Sequence, residues 1–155
     1  MNINSLYELY NTINSYNNLH NMTEDRAYNI AEYLNNYKGD DWIEYMNIYN
    51  RVFYNINNEE IENRIRIDSL SNDIFEIVIV QWPNSMVKTI FDHSNKISIM
   101  KILYGSLIET LYDYSFVILN KETIQMNKVS LVYKHIGSYD IRATNHAVSL
   151  HIEFL

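Results

Sequence analysis

The spacing of apolar residues changes part-way along this 155-residue chain, and this change limits the fold more than any single motif does. In the first third, apolar residues recur at helical spacing, as Leu6, Leu9 and Ile13 do. After about residue 64, short apolar runs are separated by turn residues, which is typical of a β-sandwich or barrel. We therefore predict a single α+β domain that is mainly β, with a helical part at 1–54 and a β-barrel at 64–155.

Capping residues predict three helices in the helical part. Ser5, with Glu8 three residues later, has the pattern of a capping box at the start of the first helix. Thr23 precedes two acidic residues and a helically spaced apolar series, so it predicts the start of a second helix, which ends near Gly39. Asp41 is predicted to begin a third helix that carries Trp and Tyr side chains.

The rest of the chain contains a series of strand-like segments. The run at 75–81 is apolar along most of its length, which indicates a strand buried on both faces. Gly105 separates two apolar runs and predicts a tight hairpin, since glycine accepts the positive φ that such turns need. Further strands are predicted at 64–68, 88–92, 97–104, 106–113, 115–119, 129–134, 138–143 and 147–153.

Composition and charge limit the possible partners. The net charge is −7 and Lys and Arg do not cluster, so binding to nucleic-acid phosphates is disfavoured. Cysteine is absent, which excludes disulfides, thiolate metal sites and cysteine nucleophiles. The start of the chain is polar, and the longest apolar run, at 74–80, is far shorter than a membrane span. We expect an intracellular, cytoplasmic protein without a signal peptide, a membrane partner or a nucleic-acid partner.

Several segments carry a resemblance to a known family. Residues 76–82 read Glu-Ile-Val-Ile-Val-Gln-Trp, and residues 89–94 read Thr-Ile-Phe-Asp-His-Ser. Residues 104–112 read Tyr-Gly-Ser-Leu-Ile-Glu-Thr-Leu-Tyr, residues 136–141 read Ile-Gly-Ser-Tyr-Asp-Ile, and residues 147–151 read Ala-Val-Ser-Leu-His. In this order and spacing the segments resemble the cysteine dioxygenases of the cupin superfamily, which have Cys-Trp, Ile-His-Asp-His, Leu-Gln-Gly-x-Leu-x-Glu-Thr-Leu, Ile-Gly-x-His-x-Val and Ala-Val-Ser-Leu-His.

The resemblance implies a fold and a chemistry. The fold is a cupin-type β-barrel with helices packed at its N-terminal end. The activity is the dioxygenation of a thiol to a sulfinic acid at a ferrous iron that three His side chains hold. The thiol and amine of the substrate bind the iron, and an Arg pairs with the substrate carboxylate. Three neutral imidazoles suit iron and leave coordination positions open for substrate and oxygen.

Carried over to this sequence, the three iron-binding positions of the family fall on Phe91, His93 and Tyr139, so one His is kept. A phenyl ring cannot ligate a metal, and a phenol with a pKa near ~10 ionises only at a cost. The resemblance therefore predicts a degenerate, non-catalytic member that binds no cofactor and acts in binding or self-assembly.

A rebuilt metal site is the alternative. By the family's orientation, His93, His151 and Glu153 all face the interior, and two His with one carboxylate form the ligand set of many non-haem iron enzymes. With Fe(II) bound there, the chain would be an active thiol dioxygenase or another non-haem-iron oxygenase. The plainer interpretation is a buried hydrogen-bonded His beside a Glu near the chain end.

Other positions of the family's site also differ. The Cys that some members crosslink to a Tyr falls on Ser98, and the Tyr falls on Glu153. The resemblance places the carboxylate-binding Arg on Arg64, with Arg66 on the same strand face as the alternative. These two side chains either clamp a carboxylate as bidentate donors or form a solvated strand face, and the sequence leaves both interpretations open.

The sequence ends at Leu155, where family members usually continue into further strands. On that basis we expect a barrel shortened at the C-terminus, with the strand at 147–154 at a sheet edge. Unpaired backbone groups on an edge strand can pair with another chain. The expected partner is therefore a second copy, in a homo-oligomer formed through this strand.

Overall fold

The computed structural model describes residues 1–17, 19–49, 52–54, 56–84, 87–91, 97–132 and 138–155, with the backbone alone at 53 and 87–91. The helices are α1 (Leu6–Asn14), α2 (Glu24–Asn36) and α3 (Trp42–Ile48), and a short 3-10 helix covers Asp68–Leu70. The strands of the described residues are β1 (Phe53–Tyr54), β2 (Glu60–Ile61), β3 (Asn63–Arg66), β4 (Phe75–Trp82), β5 (Val87–Phe91), β6 (Ser98–Tyr104), β7 (Ser106–Tyr112), β8 (Ile118–Gln125), β9 (Val129–Val132), β10 (Ser138–Arg142) and β11 (Ala147–Phe154).

Side-chain caps explain where the first two helices begin. Ser5 Oγ accepts a hydrogen bond from the amide of Glu8 at 3.1 Å, and Thr23 Oγ1 caps α2 in the same way at 3.4 Å. Asp41 does not cap α3 as predicted, because its Oδ2 accepts a hydrogen bond from the amide of Leu6, 2.8 Å away at the start of α1. The three predicted helices are thus confirmed, and Asp41 ties the third to the first. None of the helices in the described stretches is long and apolar enough to cross a membrane.

Two antiparallel sheets make up most of the β part. The larger has the strand order β3-β4-β11-β6-β9, and the smaller has the order β5-β10-β7-β8. The short strands β1 and β2 pair with each other. The prediction of a mainly β domain with N-terminal helices is therefore confirmed.

The two faces of the five-stranded sheet bury different cores. Successive residues of a strand point to opposite faces. On one face, side chains such as Ile77 belong to a core that includes helix residues such as Ile30. On the other face, side chains such as Val78 belong to a core that includes residues of the four-stranded sheet such as Leu107. The barrel interior is this second core, which lies between the two sheets.

The strand at 147–154 lies at the centre of its sheet, not at an edge. β11 pairs with β4 from Ala147, opposite Trp82, to Phe154, opposite Phe75, and it pairs with β6 on its other side. The prediction that this strand presents unpaired backbone groups is wrong, because both of its sides are hydrogen-bonded within the sheet. A homo-oligomer formed by strand pairing would need another edge.

The predicted strand at 115–119 is also wrong over most of its length. Residues 113–117 form a turn, and β8 begins only after it. Asp113 Oδ1 accepts hydrogen bonds from the amides of Ser115 at 2.8 Å and Val117 at 2.9 Å, so the side chain satisfies amides that a ladder would otherwise pair. The hairpin at Gly105 is confirmed, with a φ of +74°.

Candidate functional site in the barrel interior

A buried series of hydrogen bonds links three side chains inside the barrel. Trp82 Nε1 donates to Ser149 Oγ at 2.8 Å, and Ser149 Oγ lies 2.7 Å from His151 Nε2. All three side chains are buried. Because the indole is only a donor, Ser149 Oγ accepts the hydrogen bond from Trp82. A serine hydroxyl can donate one hydrogen bond and accept two, so Ser149 can bond to either tautomer of His151 at Nε2.

A carboxyl group is buried in the same interior, where β7 faces β9. Glu109 is 4% exposed, and its Oε1 accepts a hydrogen bond from Ser130 Oγ at 2.8 Å. Burial is the main cause that raises the pKa of Glu109, the nearby carboxylate of Glu122 raises it further, and the hydrogen bond from Ser130 opposes both. Glu109 therefore holds its proton to a higher pH than an exposed glutamate does.

Arginines and carboxylates form a set of ion pairs beside β3. Arg64 pairs with Glu153, while Arg66 bonds to Glu76 at 2.7 Å and also to Asp68. Glu76 and Glu153 lie directly opposite each other on β4 and β11, where two like charges are unfavourable. Each arginine offsets one of these carboxylates. Carboxylates of the chain itself thus bind both guanidinium groups. The sequence left open whether these arginines clamp a ligand carboxylate or form a solvated strand face.

The predicted iron-binding positions are described only in part. Tyr139 is 8% exposed and packs in the apolar core between the sheets. His93 lies outside the described residues. Phe91 is described by its backbone, which is paired with Ser138, whereas Tyr139 is paired with Ile90. The joint placement of the three family positions therefore stays a prediction.

The positions that the family uses for its crosslink are neighbours here. Ser98 on β6 lies directly opposite Glu153 on β11. Because paired residues on adjacent strands have Cβ atoms about 4.5–5.5 Å apart, this is the proximity that a covalent link would need. A hydroxyl and a carboxylate cannot form the link, and Glu153 pairs with Arg64 instead.

The donor atoms of the described residues do not fit the ferrous site of the family. Tyr139 offers a phenol in apolar surroundings where the family has a neutral imidazole. Of the alternative set, His151 is bonded to Ser149 and Glu153 to Arg64. Within the part of the chain that the structure describes, three or more His, Asp or Glu side chains nowhere converge as a metal site requires.

Two buried charged residues of the structure were not singled out by the sequence. Lys101 and Glu109 are 1% and 4% exposed, although each lies in an apolar run of a predicted strand. The alternation of β7 was the signal for Glu109, since it shares a strand face with Leu107 and Leu111. The alternation of β6 gave the same signal for Lys101, which shares a strand face with Ile99 and Leu103. Its partners could not be predicted, because they are backbone carbonyls of a distant helix.

Comparison with known sequences agrees with the resemblance. The family described as "Cysteine dioxygenase type I" matches residues 10–154. Cysteine dioxygenase type 1 from Rattus norvegicus is 28% identical over 90 residues, which cover 52% of this chain and 45% of the relative. The protein from Mus musculus has the same identity and coverage. The matched region thus spans about half the length of these relatives.

Comparison with solved structures identifies the fold. A cupin superfamily protein from Desulfitobacterium hafniense has a TM-score of 0.50 and 14% identity, covering 61% of this chain and 78% of that protein. KdgF from Halomonas sp. has a TM-score of 0.50 and 12% identity, covering 60% of this chain and 77% of that protein. The predicted cupin-type architecture is confirmed.

Proposed function

Because the chain belongs to the cysteine dioxygenase type I family but keeps one of the family's three iron-binding histidines, we propose that it has lost thiol dioxygenation and acts as a metal-free barrel in binding or self-assembly. The observation that carries this proposal is the chemistry at Tyr139, a buried phenol among apolar side chains. Ionising that phenol to a metal ligand would require burying a negative charge in an apolar core.

The contacts of the remaining polar side chains support the same conclusion. His151 Nε2 is occupied by the hydroxyl of Ser149, and the carboxylate of Glu153 by Arg64. A rebuilt iron site at His93, His151 and Glu153 would have to break both contacts before the metal bound. The hydrogen bond to Ser149 and the ion pair with Arg64 already hold these two side chains, so breaking them would cost free energy.

An anaerobic titration with Fe(II) tests the proposal. We expect no stoichiometric binding to the wild-type protein and no oxygen consumption with cysteine as the thiol. His93→Ala is the matched variant, because both the family's iron site and the rebuilt site would use His93 as a ligand. Stoichiometric iron that this substitution removes would contradict the metal-free barrel, and thiol-dependent oxygen consumption with it would establish the active oxygenase instead.

A second copy of the chain is the partner that we propose for self-assembly, at the β8 edge. Among the described strands, β8 pairs only with β7. The turn and start of β8 carry apolar side chains that are 55–70% exposed: Tyr114, Phe116, Val117, Ile118 and Leu119. A free edge beside exposed apolar side chains can pair with the same edge of another copy.

Sedimentation velocity tests this surface. We expect a concentration-dependent dimer for the wild-type protein and a monomer for Ile118→Lys. Tyr7→Ser is the control, because it removes an equally exposed apolar side chain on α1. A wild-type protein that stays monomeric at high concentration would exclude assembly at this edge.

A further inference from the structure

The turn between β7 and β8 holds a large aromatic residue in an unfavourable backbone conformation. Phe116 has a φ of +61°. Such a φ brings the Cβ atom close to the following carbonyl oxygen, so bulky residues rarely adopt it. The other described residues with positive φ are Asn58, Gly105 and Asn127, and their residue types tolerate it. Phe116 is therefore the exception, since Asn or Gly at this position would form the same turn with less strain.

The same turn exposes large apolar side chains to water. Phe116 is 66% exposed, and Tyr114, two positions earlier, is 70% exposed. Exposing aromatic surface is unfavourable, because burying an aromatic ring is one of the largest favourable contributions to folding. The turn thus combines backbone strain with exposed apolar surface, and neither feature stabilises the isolated fold. Strain and apolar exposure at one place indicate a binding surface, where a partner compensates for both.

Asp113 fixes the turn in this shape. Its Oδ1 accepts hydrogen bonds from the amides of Ser115 at 2.8 Å and Val117 at 2.9 Å. The amide of Asp113 donates to the carbonyl of Val117 at 2.9 Å, and the amide of Phe116 donates to the carbonyl of Asp113 at 3.0 Å. Because these hydrogen bonds order the turn before a partner binds, less conformational entropy is lost on binding.

The composition of this surface favours a second copy of the chain as the partner. Residues 114–119 read Tyr-Ser-Phe-Val-Ile-Leu and carry no charge, whereas the whole chain has a net charge of −7. Because both copies carry this charge, they approach each other most favourably at an uncharged surface, which in a two-fold dimer meets its own equivalent. The exposed apolar side chains of the segment offer roughly 600–700 Å² per copy, close to the ~800 Å² per partner of a stable interface.

We propose that Tyr114 and Phe116 are the residues that anchor a second copy of the chain, and that Asp113 is the positioning residue that holds them in place. The anchor role rests on the self-assembly proposed at the β8 edge, and it adds that the side chains of the strained turn determine the affinity. In the dimer, the two rings pack against the apolar start of β8 in the other copy, at Ile118 and Leu119. Aromatic side chains buried at the centre of an interface commonly carry most of its binding energy.

Sedimentation equilibrium of the full chain tests the anchor with Phe116→Gly, which removes the ring and accepts the positive φ. The dimer Kd should rise at least about tenfold, a loss of about 1.4 kcal/mol of binding free energy. The free energy of unfolding of the monomer, measured with urea at low protein concentration, should not fall, because glycine relieves the strain. Asn127→Gly is the matched control, since it makes the same backbone change at another exposed turn and should leave the Kd unchanged.

Variants of Asp113 test the positioning role separately. Asp113→Ala keeps both rings but removes the acceptor of two turn amides, so the dimer Kd should rise at least about threefold. Asp113→Asn keeps an oxygen acceptor and should dimerise at least as tightly as the wild type. A wild-type Kd in Phe116→Gly would overturn the anchor role, even where Ile118→Lys abolishes the dimer and so supports assembly at the β8 edge. A wild-type protein that stays monomeric would overturn both proposals.

Discussion

The guanidinium of Arg64 on β3 is bound by the carboxylate of Glu153 on β11. The family resemblance assigns Arg64 to a substrate carboxylate, and here a carboxylate of the same chain already takes that place. The two side chains are 39% and 31% exposed, so water screens the pair and its contribution to stability is under about 1 kcal/mol. Its main consequence is for binding, because an occupied guanidinium offers fewer donors to a ligand.

Glu153→Gln should therefore create weak binding of small carboxylates such as glycine and L-cysteine. A ligand at ten times its Kd raises the free energy of unfolding by about 1.4 kcal/mol, which corresponds to about 3–6 °C in a thermal-shift assay. The wild type should show no shift, and the double variant Arg64→Gln with Glu153→Gln should lose it again. A shift of equal size in the double variant would mean that the carboxylate binds elsewhere.

Ser149→Ala should destabilise the barrel by about 1–3 kcal/mol. The substitution leaves the Trp82 Nε1–H buried without an acceptor and removes the hydroxyl from His151 Nε2. Urea denaturation measures the loss. Ser115→Ala is the control, because Ser115 is exposed and the hydrogen bond that it donates to Asp113 comes from its backbone amide. A cost for Ser149→Ala no larger than for Ser115→Ala would contradict the proposed acceptor role of Ser149.

The fold was predictable from the sequence where the signals were local. Ser5 and Thr23 each cap the helix that follows them, and Gly105 forms the predicted hairpin. The position of β11 was not predictable in the same way. Its central place depends on pairing with β4 and β6, which are 65 or more positions and about 50 positions away in the chain, and no local pattern encodes a strand order.

The candidate site was predictable in its residue types and not in its contacts. The sequence motifs alone assign Tyr139, His151 and Glu153 to positions of the family's site. That Glu153 pairs with Arg64 depends on side chains from strands distant in sequence. The prediction of a strand at 115–119 failed because the apolar residues at 116–119 suggest a strand. In the structure the carboxylate of Asp113 instead accepts hydrogen bonds from two backbone amides and holds the segment as a turn.

Glu109→Gln should change how stability depends on pH. Because the folded protein raises the pKa of Glu109, the folded state binds more protons than the unfolded state above the usual glutamate pKa. The contribution of this carboxyl to stability is fully present below that pKa and is lost as the pH rises through the folded value. Between about pH 4.5 and pH 8, the variant should gain on the order of 1 kcal/mol relative to the wild type.

Urea denaturation of both proteins at the two ends of this range measures the difference. Glu122→Gln is the control: it removes the exposed neighbour that raises the pKa of Glu109, so it should reduce the wild-type pH dependence without abolishing it. Parallel curves for the wild type and Glu109→Gln would show that another group causes the pH dependence.

Lys101 should make the free energy of unfolding rise with pH in the alkaline range, which is the opposite of the effect of Glu109. Its ammonium group, buried among apolar sheet neighbours, donates to the carbonyl oxygens of Leu34 at 3.3 Å, Asn35 at 3.0 Å and Tyr37 at 2.5 Å, at the end of α2. Burial lowers the pKa of Lys101 to about 8, and the positive charge of Lys38 contributes to this lowering. The unfolded chain therefore binds more protons between about pH 8 and pH 10.5, and stability rises with pH across that range.

The rise in the free energy of unfolding should be on the order of 2–3 kcal/mol if Lys101 alone titrates, and Lys101→Met should abolish it. Urea unfolding at about pH 7 and about pH 9.5 measures the change. Lys121→Met is the control, because Lys121 lies exposed on β8 and should leave the rise unchanged. If Lys101→Met kept the wild-type slope, the buried ammonium would not be its source. If the variant lost the slope and also unfolded more readily at about pH 7, the three carbonyl bonds would outweigh the cost of burying the charge.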